Sequence, residues 1–244
     1  MKSEVISERF HKRLLGYTIG WMSRNDEDWF GDENGAPPDL DDLNPDTFFR
    51  KAVIFELGLG GLGLFLAWMT RHDARELVPS LQEATAIGTG ILWGVLAALP
   101  LLLGVLIIDR LDWPAIREVS RITNDRLIAP MKDLTWLELS TISLCAGVGE
   151  EILFRGWLQG WLMGPLDQAS ASQMLVAVGV AALAFGAVHA LTPLYFFLAT
   201  LAGVYFGVLL ILSGNLIVPI VAHAVYDAVQ LIQMTRATLR QSQE

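Results

Sequence analysis

Inside an otherwise apolar run the chain reads GVGEEILFRGW, Gly147 to Trp157, which places two adjacent carboxylates and an arginine where a membrane helix should be greasy. Two later apolar runs carry histidine: FGAVH ends at His189, and HAVYD joins His223 to Asp227. The spacings have geometric content. Glu151 and Arg155 stand four apart and can pair on a helix, whereas Glu150 is turned about 100° from Glu151 and points elsewhere. The two carboxylates therefore have different jobs. His223 and Asp227 repeat the four-residue spacing, so that the carboxylate can accept from one imidazole nitrogen and fix the ring. Carboxylates and imidazoles withdrawn from water are the groups that move protons in acid–base hydrolysis.

These residues must be positioned by helices. The chain has 244 residues, 53% apolar and 18% charged, with a mean hydropathy of +0.45, a profile that excludes an ordinary soluble domain. The predicted class is all-α, a polytopic membrane bundle. Because about 20 apolar residues cross a bilayer, six spans are predicted, at 52–69, 84–108, 137–164, 172–190, 194–212 and 215–233. Away from the cap residue Glu138, the acidic, basic and histidine residues within them are Glu56, near the start of the first, and then Glu150, Glu151, Arg155, His189, His223 and Asp227, all in the last four. A charge at the bilayer centre costs at least about 2.5–3.5 kcal/mol, so such groups face one another or a cavity. One shared, cytoplasm-facing cavity is expected. By the helical rise, Glu150 sits about 20 Å from the cytoplasmic start of its helix, and His223 and Asp227 about 18 and 12 Å from the cytoplasmic end of theirs. His189 reaches that depth only if the uncharged turn ALTPL lies below the headgroups, which is tolerated against protein or a water-filled cavity.

Lysine and arginine choose the orientation. Seven precede the first span, five separate the second from the third and two follow the last, while only Arg71 and Arg75 fall on the opposite side. Both termini are thus expected in the cytoplasm, in an integral protein of the cell (inner) membrane. The net charge of −9 is local, since nine acidic residues fall between Asp26 and Asp46 in a Pro- and Gly-containing stretch without the spacing of a calcium loop. The single cysteine, Cys145, excludes a disulfide framework. The N-terminal LLGYTIGWM lacks a small-x-small cleavage site and reads as a helix on the membrane surface, as does the stretch around Ile116, Val119 and Ile122. Thr135 and Glu138 have capping-box spacing, and Gly156, Gly160 and Gly164 form a flat face for helix contact. The expected divisions are a cytoplasmic segment with a disordered acidic stretch (1–50), two accessory spans with an interfacial helix (51–133), a four-helix core (134–233) and a cytoplasmic tail (234–244).

EEILFR at Glu150 to Arg155, FGAVH at Phe185 to His189 and HAVYD at His223 to Asp227 follow in that order on successive helices. In this the chain resembles the CPBP family of intramembrane proteases, the CAAX-protease and bacteriocin-processing or Abi family, over roughly residues 134–233. The resemblance implies a peptidase in which Glu150 and His189 activate a water and His223 and Asp227 stabilise the oxyanion. Glu151 and Arg155 would form a supporting pair, with Phe185 packed beside the cavity. The chemistry agrees, since a buried carboxylate can take a proton from water and an imidazole N–H can meet a developing negative charge. One departure is Asp227, where the prenyl-protein endopeptidase branch has asparagine, because an ionised aspartate cannot donate to an oxyanion. Asp227 is then protonated, orients His223 only, or joins Glu150, His189 and His223 around a divalent metal such as zinc. No HExxH helix supports zinc, and the metal-independent, glutamic reading is preferred.

The implied partners are a membrane-associated peptide or protein substrate and the lipid bilayer, and no nucleic acid. Two other classes accommodate buried charge: a polar-pathway transporter, which Pro100 and the glycines from Gly58 to Gly63 would suit, and a catalytically silent membrane scaffold. No repeat symmetry relates the first three spans to the last three, which counts against the transporter.

Overall fold

The computed structural model describes residues 44–241. The N-terminal surface helix and nearly all of the acidic stretch lie outside the described residues, as do residues 242–244. Helix α1, Pro45–Thr70, starts on a local signal: Asn44 Oδ1 accepts from the Asp46 N–H at 2.9 Å and proline occupies the first turn. It therefore begins seven residues before the predicted span, and Glu56 lies about 16 Å along it rather than near an end. After α2, Ala84–Ile108, which contains Pro100, comes α3, Pro114–Thr123, which buries Ile116 and runs into short π and 3-10 turns to Met131.

The predicted third span is a composite. Helix α4, Trp136–Glu151, opens with the Thr135/Glu138 capping box and continues without a break into a π-helical stretch, Ile152–Gln159, and a last α turn, α5, Gly160–Met163. Gly164, at φ 71°, ends it in a conformation that side chains other than glycine rarely adopt. Helices α6 (Ala171–Val188), α7 (Pro193–Ser213) and α8 (Ile217–Gln241) complete the chain, and α8 carries on eight residues into the predicted tail. Among the described residues there is no strand, and five helices, α1, α2, α6, α7 and α8, are single α-helices long and apolar enough to cross a membrane. With the α4–α5 composite they form a polytopic all-α membrane bundle.

Its outer face shows what solvent it is made for. Leu57, Leu99, Leu175 and Leu212 point outward, and Trp68, Trp113, Trp136 and Trp161 stand exposed near helix ends, where amphipathic rings favour the headgroup level. Inside, α8 packs along α2 and α4, α1 lies on α4 and the π stretch, and the α6–α7 pair closes the other side of the π stretch. Two apolar layers result. One joins Phe48, Ala52, Leu139 and Ile142 to Leu231 and Ile232; the other joins Leu153, Phe154, Phe185, Phe206 and Ala222. Glu56, Glu150, His223 and Asp227 fall in sequence between the members of these layers on α1, α4 and α8.

Missing side chains bring the helices to that level. Gly147 lies against Ile220 and Ala224 of α8, and Gly149 lies against Glu56 and Gly60 of α1, where a Cβ would run into the Glu56 carbonyl. Gly149→Val should push α1 away and destabilise the fold by roughly 1–3 kcal/mol, seen as a lower thermal midpoint in detergent; an unchanged midpoint would show this approach to be slack. The predicted glycine face is different in kind. Gly156 and Gly160 meet Ala74 and His72 of the α1–α2 loop rather than another helix, and Gly164 lies beyond the helix end, because the π stretch breaks the four-residue register.

Candidate active site

Adjacent on α4, Glu150 and Glu151 face opposite partners. Glu151 is fully buried, and its Oε1 accepts from Arg155 Nη1 at 3.0 Å and meets His223 Nδ1 of α8 at 2.9 Å. Arg155, also fully buried, donates through Nη2 to the Gly203 carbonyl of α7 at 3.0 Å, and one turn on Gln159 Nε2 donates to the Gly207 carbonyl at 3.0 Å. Helix α7 can offer those carbonyls because glycine leaves them uncovered and each oxygen has a second lone pair. The guanidinium lies 4.5 Å from the Phe185 ring centroid and 5.2 Å from that of Phe206, a cation–π setting in a desolvated place. The π stretch is clamped on its other flank, where His72 Nε2 meets the Gly156 carbonyl at 3.0 Å and Trp157 Nε1 donates to Thr70 Oγ1 at 3.1 Å.

His223 is thereby held from two sides. Its Nδ1 faces Glu151, its Nε2 lies 3.3 Å from Asp227 Oδ2, and its ring stacks on Phe206 with centroids 4.9 Å apart. The pairing with Glu151 crosses helices and has no signature in sequence spacing, so the part Glu151 plays for His223 was not foreseen. Phe206 was missed for the same reason.

Glu150 turns the other way, toward His189, which caps the C-terminus of α6. His189 Nδ1 meets the Phe185 carbonyl at 2.8 Å and the ring stacks on Phe185 at 4.5 Å, leaving Nε2 at 3.7 Å from Glu150 Oε2. An N–H must sit on Nδ1 to bond a carbonyl, so in the neutral ring Nε2 presents a lone pair to the carboxylate. The turn at Ala190–Thr192 between α6 and α7 brings His189 to the depth of Glu150. Glu150 Oε2 is buried and has no hydrogen-bond partner among the described residues, and the same holds for Glu56 Oε2. Glu56 lies close enough to interact electrostatically with Glu150, Asp227 and His223, and Tyr195 of α7 with Asp227 and Glu150.

Among the described residues no three of His, Cys, Asp and Glu are grouped to hold an ion, and both nitrogens of His223 already face carboxylates. A cavity at the loop end of the bundle, lined by His72, Ala74, Gly156, Gly160, Leu210 and Leu216, touches Arg155 but none of Glu150, His189, His223 and Asp227.

Residues 132–229 match the family model of Rce1-like type II CAAX prenyl endopeptidases. No curated protein and no solved structure matches the chain. The matched segment begins just before the α4 capping box and ends two residues after Asp227, so it contains Glu150, Glu151, Arg155, His189, His223 and Asp227 and excludes α1, α2 and α3. Residues 132–229 are thus similar to the Rce1-like type II CAAX prenyl endopeptidases of the CPBP family of membrane proteases, and they stand here in a bundle with two further membrane helices.

Proposed function

We propose that the chain is an intramembrane endopeptidase in which Glu150 and His189 activate a water for attack on a peptide bond. The observation that carries this reading is the facing pair of acceptors, Glu150 Oε2 and His189 Nε2, 3.7 Å apart with His189 Nδ1 committed to the Phe185 carbonyl. A water donating one hydrogen to each is polarised for attack. As its oxygen bonds the carbonyl carbon, its proton passes to Glu150 and then to the leaving amine nitrogen. The negative charge on the former carbonyl oxygen is met by the His223 Nε2–H, which is shared between that oxygen and Asp227 at 3.3 Å, while Glu151 on Nδ1 and the stacked Phe206 hold the ring rigid. Asp227 acts through His223, as an acceptor that orients the ring.

Substrate enters, in this reading, from the side of His189 and Asp227, whose side chains are 28% and 30% accessible. With both termini cytoplasmic in the inner membrane, that entry serves a peptide or protein presented from the cytoplasmic leaflet, in the manner of CAAX endopeptidase substrates.

The test is cleavage of a library of membrane peptides by the purified chain in detergent. The native protein should cleave, His223→Ala should not, and a chelator should leave the rate unchanged because no zinc takes part. Inhibition by chelator, reversed by added zinc, would overturn the glutamic reading. In the same assay Asp227→Asn should stay active, since its carbonyl oxygen still accepts from His223, whereas Asp227→Leu should be impaired. Equal rates for the two would remove Asp227 from the site.

A further inference from the structure

Glu56 belongs to none of the motifs and lies outside the matched segment, yet the fold brings it to them. Its helix begins at Pro45 and passes close against α4, with the Glu56 carbonyl and Gly60 set against Gly149, the residue before Glu150. By the helical rise, Glu56 lies about 16 Å into α1, Glu150 about 21 Å into α4 and Asp227 about 21 Å from the end of α8, one common level. Glu56 lies within electrostatic reach of Glu150, Asp227 and His223. Its Oε2 is buried without a hydrogen-bond partner among the described residues, as is Oε2 of Glu150. A buried carboxylate oxygen with no partner is costly and requires an explanation. Among the described residues the buried arginine, Arg155, is committed to Glu151 and Gly203.

We infer that Glu56 is a positioning residue of the proposed peptidase site, its carboxylate accepting a hydrogen bond from the same water that Glu150 and His189 activate. The inference rests on the hydrolytic reading above. With one hydrogen kept on Glu150, the water's second is shared between His189 and Glu56, and a water held among three acceptors has its lone pairs turned away from them, toward the carbonyl carbon. An accessory helix then completes a site whose other members all lie within the matched segment.

Two substitutions of similar volume isolate the acceptor: Glu56→Gln keeps a carbonyl oxygen, and Glu56→Met does not. With a peptide cleaved by the native full chain, Glu56→Met should lower kcat about tenfold, the size of one hydrogen bond to the reacting water, at nearly unchanged KM. Glu56→Gln should recover most of that loss, with thermal midpoints alike in both variants. A kcat for Glu56→Met equal to native overturns the inference, and so does an equal loss in both variants or a loss that follows the thermal midpoint. Cleavage that survives Glu150→Ala is a different failure, one that takes the hydrolytic reading down and Glu56 with it.

Discussion

Glu150→Gln lowers the rate of peptide cleavage by about 10²–10⁴-fold, the loss typical of removing a positioned general base, and leaves the thermal midpoint essentially where it was. The two outcomes belong together. Glutamine has the shape of glutamate, and Glu150 Oε2 makes no hydrogen bond within the described residues, so the fold loses no internal bond. What goes is the ability to take a proton from water beside His189 Nε2. Initial rates on one identified peptide, with melts of both proteins in the same detergent, check the prediction. Retained activity would dismiss Glu150 as the base, and a collapsed melt would make it a structural group instead.

Arg155→Met has the opposite signature, with a large loss of stability. Arg155 and Glu151 are both fully buried, and removing one partner of such a pair costs about 3–5 kcal/mol, since the other charge stays behind in a low-dielectric place. Here the loss spreads. The Gly203 carbonyl loses its donor, the faces of Phe185 and Phe206 lose their cation, and Glu151 keeps only His223 as a hydrogen-bond partner. Equilibrium unfolding in mixed micelles should show Arg155→Met far below native and the double variant Glu151→Leu with Arg155→Met partly restored, because it leaves no charge of that pair uncompensated. Additive losses in that cycle would mean that the two side chains act independently, against the 3.0 Å contact.

Much of this could be read from spacing alone. The helix cap at Thr135, the opposite facing of Glu150 and Glu151 and the Glu151–Arg155 pair are local consequences of helical geometry, and the structure keeps each. Errors arose where local rules were broken by contacts from elsewhere. The π stretch at Ile152–Gln159 undid the predicted glycine face because loop residues His72 and Ala74, distant in sequence, occupy it. Glu56 was placed near a helix end because apolarity, rather than the Asn44–Pro45 start signal, set the span. That signal was present in the sequence, and weighing it would have moved Glu56 to mid-helix.

The sequence by itself determined the membrane bundle, which residues carry charge into it, and the family that residues 132–229 resemble. Those follow from composition and from short motifs whose spacing is set by one helix at a time. Only the tertiary structure decided who meets whom across helices: His223 with Glu151, His189 with Glu150, Arg155 with the Gly203 carbonyl, and Glu56 beside Gly149. The physical reason is that such pairings depend on the rotation and depth of each helix against its neighbours. Close packing at glycines fixes both, and a periodicity read along one chain segment does not contain them.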